Sequence, residues 1–403
     1  MKKTSGFLIK NRHGRLLLTI ILVIVALAAL AGATYLLLRH NDNQTAPEPE
    51  EAPAKEEPKP LELSARLLFI GNIFWGRYIN DWSQASELGT AYPFSGLKNF
   101  QRDQYDAWIA GLECPTVAGV NTSSAAQEDT LTFNCRPEYL PEAAKWFSAV
   151  TLANNHTDNQ GLEGFEETKT QLDEAGIQYF GHYDPEKLDE VCNIVTIPAH
   201  LQYDDGNYQK IELPLVFCGY HGVFKVPSSE SLALITKYSQ NFPVFALPHM
   251  GAEYQPAPDD IKTATYRAML DNGAEMVIGD HPHWVQNTEV YKNKLIIYSM
   301  GNFMFDQQFN SEVTRSAAID VTVSGDGAAA QAWAALADDC RGDLPKCLEL
   351  ATEKQLPKLK LNYKFDVKGS DDSNHLTKPA TKSQLDSIKQ RLNWASTLSK
   401  LEN

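Results

Sequence analysis

The sequence predicts a layered α/β fold behind one membrane-spanning helix, and three observations predict it. An uncharged apolar run lies near the N-terminus, a Pro/Glu-rich segment follows it, and short apolar strand-like runs then alternate with amphipathic helical stretches. Most of those apolar runs end in Gly, Asn, Asp or His. Polar strand ends of this kind are where layered α/β sheets bind ligands.

Lys2, Lys3, Lys10, Arg12 and Arg15 precede the uncharged run Leu16–Leu38. At about 1.5 Å per residue, this run can cross a hydrocarbon core of about 30 Å. The flanking cations keep the N-terminus cytoplasmic. The expected organisation is a basic tail (1–15), a transmembrane anchor (16–38), a Pro/Glu-rich stalk (39–65) and one extracytoplasmic domain (66–403). The protein is thus placed in the cell membrane in a single pass, with the membrane as a partner through its N-terminal helix. Ala29-Leu30-Ala31 leaves a cleaved signal peptide as the alternative, although apolar residues continue to Leu38, beyond a usual signal core. The stretch Asn41–Leu63 has almost no apolar residue to bury and cannot fold by itself. All six cysteines lie beyond it, in a compartment where disulfides persist. Pairing neighbours in sequence would join Cys114 to Cys135, Cys192 to Cys218 and Cys340 to Cys347. Other pairings, and free buried thiols, stay open.

The chain carries 36 Lys plus Arg against 51 Asp plus Glu, a formal charge of -15. That balance argues against nucleic acid as a partner, because phosphates require a basic surface. A polyanionic ligand would also be repelled unless a bound cation or a local basic patch intervened.

The core motifs fall within residues 66–306. "RLLFIG", "AWIAGL" and "SAVTLA" read as strands, and "GFEETKTQLDEAGI" as a helix with Phe165, Leu172 and Ile177 on its apolar face. "LPLVFCGY" and "FPVFALPH" follow, then a helix in "DIKTATYRAMLDNGA" and the runs "EMVIGDH" and "KLIIYSMGNF". The finishing part, 307–403, reads as a hairpin around Gly325-Asp326-Gly327, a Cys-containing excursion from Asp338 to Leu348, a strand in "KLKLNYKFDV" and a C-terminal helix. Leu385, Ile388, Leu392 and Trp394 form the expected packing face of that helix.

Four polar clusters end predicted strands: Glu113; Asn154, Asn155, His156 and Asp158; His249 with Glu253; and Asp280, His281 and His283. Carboxylate, amide oxygen and imidazole together are the ligand set of Zn²⁺, Mn²⁺ or Fe²⁺. Pro282 stiffens the His-Pro-His turn so that both imidazoles can reach one cleft. Each cluster alone also has an ordinary reading: Asn155 or Asp158 as a helix cap, Glu113 as half of a surface ion pair, a lone His as a hydrogen-bonded turn residue. Four compatible clusters on four strands favour the metal reading.

In this order, "GNIFWGR", "GLECP", "LANNHTDNQG", "HMGAEY" and "GDHPHWVQNTEVYKNKLIIYSMGNFMFD" closely resemble the poly-γ-glutamate capsule biosynthesis family called CapA. The resemblance implies a metallophosphatase-like, four-layer αββα sandwich similar to calcineurin-like phosphoesterases. It further implies Glu113 as the acidic metal ligand, Asn155 as the amide ligand, and His249, His281 and His283 as later ligands. His156 would act on the leaving group with Asp158 orienting it, while Asn302 would support the cleft. Where family members have Gly-Asp, this chain has Gly71-Asn72, and Phe74 stands where phosphoesterases carry a further histidine. An amide supplies an oxygen but no charge, so one divalent ion is expected rather than two. Asp280 adds charge only if it points inward.

Three functions follow as expectations: a metal-dependent hydrolase or transferase in capsule polymer synthesis, export or anchoring; a catalytically impaired scaffold that binds polymer or synthase subunits; or a calcineurin-like phosphoesterase unrelated to capsule.

Overall fold

The computed structural model describes residues 12–41 and 57–401, so the tail residues 1–11 and the stalk residues 42–56 lie outside the described residues. The chain forms two compact units, Met1–Glu57 and Pro58–Asn403. In the first, Arg12–Asn41 is one helix, and its stretch Ile20–Arg39 is long and apolar enough to cross a membrane, a property that N-terminal signal sequences share.

The second unit is a mixed α/β structure built on strands β1 (Pro60–Ile73), β2 (Ala107–Leu112), β3 (Ala149–Thr151), β4 (Gln178–Phe180), β5 (Cys192–Tyr203), β6 (Tyr208–His221) and β7 (Val244–His249). The series continues with β8 (Met276–Ile278), β9 (Thr288–Tyr291), β10 (Lys294–Ile297), β11 (Asn302–Met304), β12 (Arg315–Asp326), β13 (Leu361–Asp371) and β14 (Lys378–Pro379). Strand β1 is the branch point. Along one edge Glu62–Phe69 pair antiparallel with β12, which continues to β13 and β14. Along the other edge its start pairs antiparallel with β5, and its end, from Leu67, pairs parallel with β2. One wing then runs β2, β3, β4, and the other runs β5, β6, β7, β8, β10, β9.

The period-two alternation of β1 serves two cores. Leu63, Ala65, Leu67 and Phe69 enter one, together with Leu232, Ile235, Tyr266 and Met269 from the helices Ser229–Ser239 and Asp260–Asp271. Leu68 and Ile70 enter the other, with Phe165 and Leu172 of the expected helix, which spans Gly161–Ala175, and Ile177, which lies just past its cap at Gly176. Because Leu63 and Ala65 are buried in paired strand, the folded unit takes in residues that composition assigns to the stalk.

Two local expectations change. The segment after β12 is a helix, Gly327–Ala334, not the second arm of a hairpin. Its alanines are the strongest helix formers, and the Asp326 side chain caps them by accepting from Ala329 N at 2.7 Å. The C-terminal helix divides at Asn393, whose φ is 56°, into Lys382–Arg391 and Trp394–Leu401; Ile388, Leu392 and Trp394 are buried as expected. All three pairings between sequence neighbours form: Cys114–Cys135, Cys192–Cys218 and Cys340–Cys347.

Candidate metal centre

Strands β1, β2 and β3 run parallel, β5 runs against β1, and β6, β7 and β8 run against β5. Six strands therefore point the same way, and their carboxyl ends share one rim. The clusters at Asn72, Glu113, Asn154–His156, His249 and Asp280–His283 follow from those strand ends.

His249 Nε2 lies 3.0 Å from Asn155 Oδ1, 3.1 Å from His281 Nδ1 and 3.9 Å from Glu113 Oε1. The ligand atoms of Glu113, His249 and His281 fall within 4.8 Å of one another. Glu113 is 1 % exposed, yet neither of its carboxylate oxygens has a hydrogen-bond partner. His283 Nε2 faces the same oxygen, Glu113 Oε1, at 3.8 Å, so His249 and His283 approach one carboxylate oxygen. Glu253 is on the exposed rim, 3.8 Å from His283 Nε2.

The His-Pro-His turn is strained, with φ of 91° at His281 and 59° at His283, the region that favours glycine. Such a backbone costs about 1–3 kcal/mol per residue and persists only where its surroundings fix it. Here Asp280 N donates to Pro248 O (2.9 Å), Tyr254 N donates to Pro282 O (2.9 Å), and His283 Nδ1 donates to Asn302 Oδ1 at 2.8 Å. Asn302 Oδ1 also accepts from Asn72 Nδ2 at 3.4 Å, and Asn302 Nδ2 donates to Gln307 Oε1, whose amide reaches the Tyr254 hydroxyl. Asn302 thus holds His283 and Asn72 in place. Asn72 is fully buried, and its amide NH₂ is committed to this network while its Oδ1 has no partner.

Asn154 is a brace: its amide donates to Leu112 O at 2.7 Å, and its oxygen accepts from the backbone N–H groups of His156 and Thr157. Asp158 does not orient His156. It is exposed, and with Tyr183, His221 and Phe224 it lines a neighbouring cavity of about 340 Å³. His156 Nδ1 instead meets Asn159 Oδ1 at 2.9 Å, because the turn presents the residue three positions on rather than two. The His156 ring stacks on Phe133 at 4.0 Å, and the Arg77 guanidinium covers the same Phe133 ring at 4.3 Å while pairing with buried Asp306. The Cys114–Cys135 disulfide ties the residue after Glu113 to the loop carrying Phe133. Asn159, Phe133 and Arg77 escape strand-end reasoning, since their places depend on loop packing, whereas His221 ends β6 in register with His249. The Gly-Arg that ends "GNIFWGR" is the one local signal, for Arg77.

Burial pushes His249 and His281 well below the usual imidazole range and His283 to about 4, so all three are neutral near pH 7. Burial likewise takes His156 to about 4. Burial, and then the neighbouring Asp280, holds the Glu113 carboxyl well above its usual range. Neutral imidazoles beside buried oxygens that lack donors are the donor set of a divalent cation, and the residues present fit one.

Residues 66–307 match the family model described as bacterial capsule synthesis protein PGA_cap. The chain is 27 % identical over 270 residues to the capsule biosynthesis protein CapA of Bacillus anthracis, covering 60 % of this chain and 60 % of that protein. It is 29 % identical over 267 residues to the PGA biosynthesis protein CapA of Bacillus subtilis (strain 168), covering 62 % and 67 %. The match thus spans less than two thirds of the first relative's length. The family match takes in Asn72, Glu113, Asn155, His249, His281 and His283, and it covers more than half of the sequence: this chain belongs to the bacterial capsule synthesis protein family PGA_cap.

Proposed function

We propose that this protein is a single-pass membrane protein whose extracytoplasmic, four-layer αββα domain takes part in the synthesis, export or anchoring of poly-γ-glutamate or a related capsule polymer. In this reading one Zn²⁺, Mn²⁺ or Fe²⁺ is held by Glu113, Asn155, His249 and His281, with His283 beside it. The observation that carries it is Glu113, a buried carboxylate with two unpartnered oxygens facing imidazole nitrogens. Burying such a group without a partner is costly, and a cation removes the cost.

When bound, the ion supplies Lewis acidity for a carbonyl or phosphoryl oxygen and a more acidic water. Asn302 fixes the His283 tautomer through Nδ1, leaving Nε2 toward Glu113. Asn159 fixes one nitrogen of His156 and leaves the other to exchange a proton at the leaving group. Phe133 holds the plane of that ring.

The test is the metal content of the full-length, detergent-purified chain after dialysis against metal-free buffer. Near-stoichiometric metal is expected in the wild type, with at least about tenfold weaker binding in Glu113→Gln and His249→Ala. A wild type without metal sinks the reading. Asn72 favours a second reading, a catalytically impaired polymer-binding scaffold, because it brings an oxygen but no charge to the cleft. Release of glutamate from poly-γ-glutamate, lost in His156→Ala, supports the hydrolase; co-purification of membrane partners without turnover supports the scaffold. Turnover of aryl phosphates alone points to a phosphoesterase unrelated to capsule.

A further inference from the structure

Asp280 is 6 % exposed, and neither of its carboxylate oxygens has a hydrogen-bond partner. Its backbone is fixed by the sheet: Asp280 bridges His249 in parallel register and donates its N–H to Pro248 O. The side-chain direction is therefore set by strand pairing. Gly111 shows where it points. A Cβ on Gly111 would lie 3.0 Å from Asp280 Oδ2 and 3.7 Å from Asn72 Oδ1. Both side chains overhang one spot above β2, two residues before Glu113, and a methyl group there would crowd the carboxylate.

Five buried oxygens thus lack donors in one region: two of Glu113, two of Asp280 and Oδ1 of Asn72. Burial holds the Asp280 carboxyl well above its usual range, the neighbouring His281 N–H and the Lys262 ammonium oppose this only in part, and neither Asp280 oxygen is close enough to a donor for a well-formed hydrogen bond. Lys262 instead donates to Gln286 Oε1 at 3.1 Å. Each unpartnered buried acceptor carries a desolvation penalty, and two of these groups are carboxylates.

We propose that Asp280 is the second anionic metal ligand of the cleft, supplying beside Asn72 Oδ1 the charge that Asn72 lacks. The proposal rests on the metal reading of the cleft. It assigns to position 280 a first-hand contact with a divalent cation, and to Asn72 a neutral oxygen on the same ion. With Glu113 and Asp280 both anionic, a dication meets a balanced site instead of a net positive one.

The experiment titrates Mn²⁺ into the chelator-stripped, full-length chain in detergent near neutral pH, reading bound Mn²⁺ by elemental analysis and the thermal midpoint without metal. Asp280→Asn is expected to lower Mn²⁺ affinity at least about tenfold. Its metal-free midpoint should equal or exceed that of wild type, because a buried carboxyl group with two oxygens lacking donors is gone. Asn72→Asp alone should raise Mn²⁺ affinity and lower the metal-free midpoint, a readout that stands even if Asp280→Asn folds poorly. The double variant Asn72→Asp/Asp280→Asn should regain most of the lost affinity. Unchanged affinity in Asp280→Asn overturns the proposal while leaving the metal reading intact. Failure of the double variant to recover overturns the shared position of the two side chains. A wild type that binds no Mn²⁺ or other divalent metal overturns the metal reading, and this proposal with it.

Discussion

Lys262 shows how much the cleft demands of single residues. It is fully buried, and burial lowers its ammonium to about 7 from an ordinary 10.5. The unfolded chain keeps the proton up to about 10.5 and the folded chain only up to about 7, so unfolding takes up a proton between these values. Stability therefore rises with pH across that window, and the full penalty is present below it. Lys262→Met should consequently be most favourable relative to wild type at about pH 7, with its advantage shrinking toward pH 10. Denaturant unfolding of the chelated protein at both ends of the window checks this, and a constant difference would refute the burial argument. At the same scale, Glu113, Asn155, His249, His281 and His283 were legible in the sequence because each follows an apolar run. Asp280 was legible as a charge but not as a direction, which only its bridge to His249 fixes. Asn159 was hidden because turn geometry, not residue type, decided whether it or Asp158 met His156.

Among the elements, the crossing of β1 and β11 makes the tightest demand. Asn72 and Asn302 are parallel register partners, and Asn72 N donates to Gly301 O at 3.2 Å. A Cβ on Gly71 would fall 1.8 Å from that same oxygen. Gly71→Ala must force the strands apart, and we expect a loss of about 3 kcal/mol in stability together with weaker metal binding. Thermal unfolding and Mn²⁺ titration test both, and an unchanged midpoint would show that the strands yield. The Gly-Asn pair at 71–72 and its counterpart at 301–302 were visible as strand-end punctuation. Their side-by-side placement was not, because β11 reaches β1 across more than two hundred residues of chain. The expected hairpin after β12 failed for a local reason: a Gly-Asp-Gly signal competed with a run of alanines behind a capping Asp, and the helix prevailed.

For the whole molecule, the three disulfides differ in what they hold. Cys192–Cys218 joins register partners of β5 and β6, and Cys340–Cys347 closes the short helical excursion before β13. Cys114–Cys135 alone sits beside a candidate ligand. Replacing both of its cysteines with serine should cost about 2–4 kcal/mol and also weaken Mn²⁺ binding. The Cys340→Ser/Cys347→Ser variant should leave Mn²⁺ affinity unchanged, and equal affinities in all three proteins would show that the brace does not hold Glu113. The α/β class could be read from apolar runs, whereas the three neighbour disulfides were only one of the arrangements that the cysteine positions left open. The branching of the sheet at β1 could not be read, since one strand with two sets of neighbours looks in sequence like any other.

That branching strand has a mechanical consequence. β1 has 14 residues, about 45 Å when extended, and it is the first strand after the segment that leads from the apolar helix. Tension on the chain upstream of Pro60 would enter the folded unit along β1, whose opposite end carries Asn72. Because Glu62–Phe69 pair with β12 along their length, such a pull loads these hydrogen bonds together in shear rather than peeling them one at a time. A pull on the chain ahead of Pro60 would meet its stiffest resistance just before the cleft.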